Sequence, residues 1–288
     1  MGLNRSLASY LRPLAWASLI SNMVLVVTGG AVRLTGSGLG CPTWPRCTEN
    51  AFTPRQAVSI HSAIEFGNRM LTFVLVAVAV ATLVAAWQSR RRDLRLAALG
   101  LALGIPAQAV IGGITVLTHL NPWIVSFHLL CSLAMIGLAV LLLRLVDGPL
   151  PRLTASRPVT SLAWSTFAAG WLVLYLGTVV TGSGPHAGDE KAHRNGLDPL
   201  QVSQLHADLV FAFIGLTIGL IFVLAATNAT ARARRAAVLL LLAELGQGTI
   251  GYVQYFTDLP VVLVGFHMLG AAVISAVMTW ALLETREA

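Results

Sequence analysis

The fold is decided by residues 118–130, which read THLNPWIVSFHLL. The polar residue and proline at Asn121-Pro122 come directly before an apolar run that contains His128. This order predicts the start of a helix, because a proline in the first turn lacks only an N–H that would have no partner there. The same order returns in residues 257–269, which read TDLPVVLVGFHML, with His267 in the place of His128.

The similarity between the two stretches extends toward their N-terminal sides. At an offset of 139, nine identities fall within residues 108–130, at Gln108, Ile111, Gly112, Thr118, Leu120, Val125, Phe127, His128 and Leu130. At an offset of 145, three further residues match Pro199, Gln201 and His206, namely Pro54, Gln56 and His61. The chain is therefore predicted to consist of two similar halves that run in the same direction through a membrane, as a parallel internal repeat.

The composition is that of a membrane protein. Of the 288 residues, 56% are hydrophobic and 11% are charged, whereas a soluble domain has about 25% charged residues. Eight apolar segments each approach the ~20 residues that a helix needs to cross a bilayer. They are residues 14–33, 57–87, 95–117, 122–145, 161–182, 200–228, 236–256 and 259–283. We expect an all-α membrane protein of eight transmembrane helices, arranged as two tandem four-helix bundles, with the first segment retained as a span.

The net charge of +7 is concentrated in every second loop. The residues concerned are Arg5, Arg12, Arg90–Arg92, Arg95, Arg152, Arg157, Arg232, Arg234, Arg235 and Arg286. This is the positive-inside pattern, and it places both termini in the cytoplasm. It also argues against nucleic acid as a partner, because no soluble basic face is present. The predicted division is an N-terminal half at 1–146, a cytoplasmic linker at 147–160 and a C-terminal half at 161–288.

Four histidines, His61, His128, His206 and His267, each follow a polar residue and a proline by a few positions. They are expected about two turns inside their helices, at one depth below the same membrane face. Each half would then supply two imidazoles from two different helices, which favours a pair of two-histidine sites for haem iron. Structural zinc, the competing metal, requires four ligands at one point. Taken singly, a histidine in an apolar helix is more often an ordinary bundle residue.

Two further charged residues stand out. Glu65 lies one turn beyond His61, where the second half has Val210. A carboxylate inside a membrane is costly unless it is paired or used, so Glu65 is a candidate functional residue; the alternative is an ion pair with Arg69 at i+4. Arg33 is interpreted either as an interfacial residue or as a partner for a haem propionate.

The outer loops hold two cysteines and two further histidines. Cys41 and Cys47 fall in the first outer loop, where disulfides persist, and they are predicted to pair. Two free thiols or a transient redox pair are the alternatives. His186 and His193 are interpreted as polar loop residues.

Together these features resemble the haem A synthase family. The resemblance is carried by histidines in spans 2, 4, 6 and 8, by Thr-Gly-Ser-Gly before the cysteine-bearing loop, and by Glu65 with Arg69. It implies an oxidoreductase that converts a methyl group of haem O into a formyl group by successive hydroxylations, making haem A for cytochrome oxidase. It also implies Glu65 as the catalytic residue, substrate haem O between His61 and His128, and resident haem b between His206 and His267.

The sequence departs from the family pattern in two places. The family has Glu-x-x-His-Arg in span 2, with that histidine as ligand, whereas this chain has Asn68 there, so that His61 is the imidazole available. Some members also carry a cysteine pair in the loop after span 5, and this chain has none in that loop.

The resemblance further implies a multi-pass protein of the plasma membrane. Its expected partners are haem O, membrane lipid, haem O synthase, cytochrome oxidase assembly factors, an electron carrier of unknown identity and further copies of the chain in a homo-oligomer. Two rival functions stay open at this stage. One is a dihaem electron-transfer cytochrome, and the other is a transporter that uses Glu65 in proton relay.

Overall fold

A computed structural model describes residues 7–54 and 59–287; Arg5 and Gln56 lie outside the described residues. The described part is helical, with short 3-10 turns at Leu7–Tyr10 and Thr285–Glu287. The long helices are α1 (Leu11–Leu34), α2 (Ile60–Gln88), α3 (Arg92–Leu117), α4 (Pro122–Val146), α5 (Arg157–Ser183), α6 (Pro199–Ala226), α7 (Ala231–Phe256) and α8 (Val261–Glu284). All eight are long and apolar enough to cross a membrane, which confirms the predicted all-α class and number of spans.

Three of the four predicted starts of the histidine-bearing helices agree with the structure. Helices α4 and α6 begin at Pro122 and Pro199. In each, the side chain of the preceding residue, Asn121 or Asp198, accepts a hydrogen bond from the backbone N–H two residues later. Helix α8 begins at Val261, directly after a proline. Polar caps and prolines therefore set these starts locally.

The predicted start of α2 is wrong. The helix begins at Ile60, because Ser59 is its cap and accepts a hydrogen bond from the N–H of Ser62 at 3.1 Å. The Thr53-Pro54 pair lies before this cap and does not begin the helix. His61 therefore lies in the first turn of α2, whereas the other three histidines lie at or near the end of the second turn of their helices.

The chain forms two compact units. Unit 1 comprises the described residues up to Pro149 together with the loop Pro185–Asn195. Unit 2 comprises Leu150–Gly184 and the described residues from Gly196 onward. The loop Pro185–Asn195 falls within the predicted C-terminal half, 161–288, but the structure groups it with unit 1. The last residues of the predicted linker, 147–160, are helical, because α5 begins at Arg157.

Within each unit the four helices pack as a ring. In unit 1, α1 and α3 each pack against both α2 and α4, and in unit 2, α5 and α7 each pack against both α6 and α8. The two histidine-bearing helices of a unit therefore occupy opposite corners of its ring. Side chains on their inward faces point toward the same interior.

The turn that leads into the last helix has the same unusual backbone in both units. His119 and Leu120 have φ of 50° and 61°, and Asp258 and Leu259 have φ of 60° and 56°. Residues other than glycine seldom adopt this left-handed region. In each turn the N–H of the second residue also donates to the carbonyl five residues earlier, at 2.8 Å. The same local geometry thus recurs at the offset of 139 seen in the sequence.

Candidate functional site

In unit 2, His206 of α6 and His267 of α8 point into the bundle interior against glycine backbones. A Cβ added at Gly177 of α5 would lie 3.3 Å from Cε1 of His206, and one added at Gly251 of α7 would lie 3.2 Å from Cε1 of His267. Both imidazoles therefore lie inside the same ring of four helices. The structure therefore brings together the two histidines that the sequence paired.

A matching set of contacts surrounds the last histidine of each unit. Nε2 of Gln247 donates to the backbone carbonyl of His267 at 2.8 Å, and Nε2 of Gln108 donates to that of His128 at 3.3 Å. A Cβ at Gly112 would lie 3.2 Å from Cε1 of His128, as the one at Gly251 does for His267. The two glutamines therefore bond across helices and fix the backbone on which each histidine is carried.

The environment of these histidines fits a ligand role. Nδ1 of His128 and Nδ1 of His267 are buried, and neither has a hydrogen-bond partner within residues 7–54 and 59–287. A buried polar atom without a partner is costly, so each such atom in a folded protein calls for an explanation. Imidazole nitrogens directed into a helical bundle are also the usual axial ligands of haem iron.

His61 has a different environment. It is exposed, and its Nδ1 lies 3.0 Å from Oγ of the fully buried Ser37. Ser37 belongs to the Thr-Gly-Ser-Gly segment that follows α1. A hydrogen bond at Nδ1 orients an imidazole and leaves Nε2 as the atom that can bind a metal.

Glu65 is buried, and both of its oxygens have partners. Oε1 forms an ion pair with the Arg69 guanidinium at 2.5 Å, and Oε2 accepts the backbone N–H of Cys41 at 2.5 Å. Arg69 also donates to the backbone carbonyls of Cys41 and Thr43. The i+4 ion pair is therefore present, and it ties the first outer loop to α2. The predicted disulfide between Cys41 and Cys47, which closes this loop, is confirmed.

Sequence reasoning missed Trp44, which lies inside the same loop. A Cβ added at Gly113 of α3 would lie 2.3 Å from the Trp44 ring, so the indole rests directly on the helix backbone. The adjacent Gly112 is the residue against which His128 packs. The indole therefore packs on α3, the helix against which His128 also packs. The Gly-Gly pair in α3 is the only sequence signal of this close approach.

Arg33 contacts the loop 185–195. Its Nε donates to the backbone carbonyl of His186 at 2.7 Å, and the N–H of Gly38 donates to the carbonyl of Gly188 at 2.8 Å. Leu120 packs in a buried cluster with two alanines of this loop. The loop after α5 thus covers the same end of unit 1 as the disulfide loop.

A second buried carboxylate, Glu244 of α7, was also missed. Its side chain is 3% exposed, and Oγ1 of Thr217 on α6 donates to its Oε1 at 2.6 Å. The sequence signal for Glu244 was a single acidic residue inside an apolar segment, which is the signal that identified Glu65 as a candidate.

No group of three or more histidine, cysteine, aspartate or glutamate side chains in the described ranges could hold a metal ion. A two-histidine haem site needs no such group, because the porphyrin supplies the remaining ligands of the iron.

Comparison with known proteins gives a consistent result. Residues 12–188 match the family model COX15-CtaA, which describes a cytochrome oxidase assembly protein. Three relatives, each named heme A synthase, are 32% identical over 149 residues (Geobacillus thermodenitrificans), 30% over 182 residues (Lysinibacillus sphaericus, strain C3-41) and 25% over 281 residues (Staphylococcus epidermidis, strain ATCC 12228 / FDA PCI 1200).

These alignments cover 50%, 59% and 89% of this chain. The chain spans about half the length of the first relative, at 46%, and 58% and 90% of the other two. The eight spans and these relatives make it a multi-pass protein of the cell membrane. Since the family model matches more than half of the chain, this protein belongs to the cytochrome oxidase assembly protein family.

Proposed function

We propose that this protein is a haem A synthase, an oxidoreductase that oxidises a methyl group of haem O to a formyl group by successive hydroxylations. The observation that carries the proposal is the similarity to proteins named heme A synthase, one of which aligns over 89% of this chain. The two imidazoles in the interior of unit 2 support it, because histidine is a usual protein ligand of haem iron and His206 and His267 could hold one there.

The two units are proposed to have different tasks. His206 and His267 would hold a resident haem b in unit 2, and His61 and His128 would hold the iron of substrate haem O in unit 1. The bound iron would supply electron transfer in unit 2 and oxidation chemistry in unit 1. The covering loops support this assignment, since the disulfide loop and the loop 185–195 both pack on unit 1 and would shield a reacting group from water.

Glu65 is the proposed catalytic residue. A carboxylate held by Arg69 and the Cys41 N–H has a fixed position. A fixed negative charge stabilises positive charge that develops at a carbon undergoing oxidation. Arg33, at the end of the same helix bundle, is proposed to contact a haem propionate, since a guanidinium pairs well with a carboxylate.

We further infer that the two four-helix units are a tandem repeat with both termini in the cytoplasm. The support is the recurrence, at an offset of 139, of the left-handed turn, of the glutamine bond to the histidine carbonyl and of the glycine behind the ring. The proposed partners are haem O and its synthase, an electron carrier, lipid and other oxidase assembly factors.

Co-expression with a haem O source, followed by haem extraction and chromatography, tests the function. We expect haem A or a hydroxylated haem in the purified protein. Haem b alone would instead indicate an electron-transfer cytochrome, and a colourless protein without a Soret band would indicate a transporter.

Substitution of Glu65 tests its role in the reaction. Glu65→Gln keeps the size of the side chain and its ability to accept the Cys41 N–H, but removes the charge. We expect haem content within about twofold of wild type and a loss of haem A production of at least about a hundredfold, the usual effect of removing a transition-state electrostatic partner. Undiminished haem A production by this variant would exclude Glu65 from the mechanism.

A further inference from the structure

Glu244 is buried as deeply as Glu65, but its carboxylate has fewer partners. It lies near the middle of α7, where its side chain is 3% exposed. Thr217 donates to Oε1, and Oε2 is buried without a hydrogen-bond partner in the described part of the chain. Glu65, by contrast, has an arginine and a backbone N–H on its two oxygens.

Within residues 7–54 and 59–287, no charged side chain forms an ion pair with Glu244. The helices that pack against α7 are α6 and α8, and their titratable side chains are His206, Asp208, His267 and Glu284. None of these forms an ion pair or a hydrogen bond with Glu244, whose Oε1 accepts from Thr217 and whose Oε2 has no partner in the described part of the chain. Glu284 is neutralised elsewhere, since its Oε1 faces Arg232 and accepts the indole N–H of Trp280.

A carboxylate with these surroundings is unstable in its ionised form. Removing a charge from water is costly unless a partner or several hydrogen bonds compensate for it, and here there is one neutral donor. Protonation of Oε2 removes the charge and leaves Oε1 as the carbonyl oxygen that accepts from Thr217. The neutral acid therefore carries no uncompensated charge and keeps the hydrogen bond from Thr217.

The position of Glu244 connects it to the proposed haem site of unit 2. Gln247, one turn further along α7, donates to the His267 carbonyl and lies against Gly270 of α8. In unit 1 the corresponding glutamine, Gln108, makes the same bond, but the residue at the position of Glu244 is Ile105. An acid at this position is therefore present in unit 2 only, one turn from the glutamine–histidine bond that both units share.

We propose that Glu244 is a proton-binding site inside unit 2, and that its proton is coupled to the charge of the redox centre held by His206 and His267. Glu244 releases the proton on Oε2 to water when one electron passes from the iron to an external one-electron acceptor. It takes a proton back when one electron returns from an external one-electron donor. The charge inside the bundle is thereby kept constant. The coupling rests on the proposed function, whereas the proton site itself does not.

Infrared spectroscopy of the full-length protein in lipid nanodiscs tests the proton site without reference to haem. We expect wild type at neutral pH to show a carbonyl-stretch band of a protonated carboxylic acid that shifts in D₂O. The band should be lost in Glu244→Gln, which can still accept from Thr217. In Thr217→Val the band should persist at higher frequency, because the carbonyl oxygen has lost its donor. A wild-type spectrum without the band, or a band that survives in Glu244→Gln, would overturn the proposal.

Redox titration of the haem-loaded protein tests the coupling. The midpoint potential of the unit 2 centre should fall as pH rises through the range in which Glu244 titrates, by at most about 59 mV per tenfold change in proton concentration. Glu244→Gln should flatten this dependence. Glu244→Ile, which copies the residue of unit 1, should do the same and serves as a second variant if the first folds poorly. An unchanged slope in both variants would refute the coupling. A lack of any bis-imidazole centre in unit 2, with the infrared band intact, would instead refute the proposed function and leave the proton site standing.

Discussion

At the scale of single residues, two positions of α2, His61 and Asn68, are candidates for the iron ligand proposed in unit 1. Asn68 stands where the resemblance places a histidine ligand, and its Oδ1 accepts a hydrogen bond from Thr28 of α1 at 2.8 Å. That bond makes Asn68 a helix-packing residue. His61 is held by Ser37 through Nδ1, which leaves Nε2 available.

We expect His61→Ala to weaken binding of haem O to unit 1 on the order of tenfold or more, since an iron ligand is lost. Asn68→Ala is the matched control, because it removes a polar side chain from the same helix, and it should change haem O binding by less than about twofold. Spectral titration of the purified variants with haem O measures both. The opposite ranking of the two variants would assign the ligand role to the position of Asn68.

At the scale of elements, both covering loops are held by specific contacts and not by secondary structure of their own. The disulfide loop is fixed by Glu65, Arg69 and the Trp44 ring, and the loop 185–195 by Arg33. The two loops thereby become parts of unit 1 although they are far apart in the chain.

The packing of Trp44 on α3 can be tested with two glycines that differ only in their surroundings. Gly113→Ala should lower stability by about 1–3 kcal/mol, because the added methyl group would overlap the indole ring. Gly29→Ala in α1 should be neutral or stabilising, since nothing lies within 4 Å of the new Cβ. Apparent melting temperatures in one detergent give the comparison.

Adding Trp44→Ala to Gly113→Ala should cost less than the sum of the single changes, because the clash disappears with the ring. Equal stability of the two glycine variants would show that the indole does not rest on this helix.

At the scale of the whole molecule, eight spans require the two ends of the chain to lie on the same side of the membrane. We propose that this side is the cytoplasm, because the arginine-rich turns follow the positive-inside pattern. With Cys131→Ser as background, we expect a cysteine at Gln88→Cys, the last residue of α2, to react with an impermeant thiol reagent only in inverted vesicles. A cysteine at Thr118→Cys, in the turn before α4, should react only in right-side-out vesicles. Labelling of both positions from one side would contradict the proposed topology.

The sequence by itself determined the features that depend on neighbouring residues. Apolar length gave the eight spans, and polar caps with prolines gave the starts of α4, α6 and α8, because both signals act within one or two turns of helix. The repeat itself paired Gln108 with Gln247, and both donate to the backbone carbonyl of a histidine on the next helix. The predicted start of α2 was wrong because Ser59, which also caps helices well, lies closer to the helix than the Thr53-Pro54 pair.

Only the tertiary structure decided what depends on residues distant in the chain. It gave Glu65 its backbone donor at Cys41, placed Trp44 on Gly113, and packed the loop 185–195 on unit 1 instead of unit 2. It also showed that Glu244 is buried with a single hydrogen bond. Hydropathy cannot reveal these relations, because which side chains meet is fixed by how helices and loops pack, and one sequence pattern is compatible with many such arrangements.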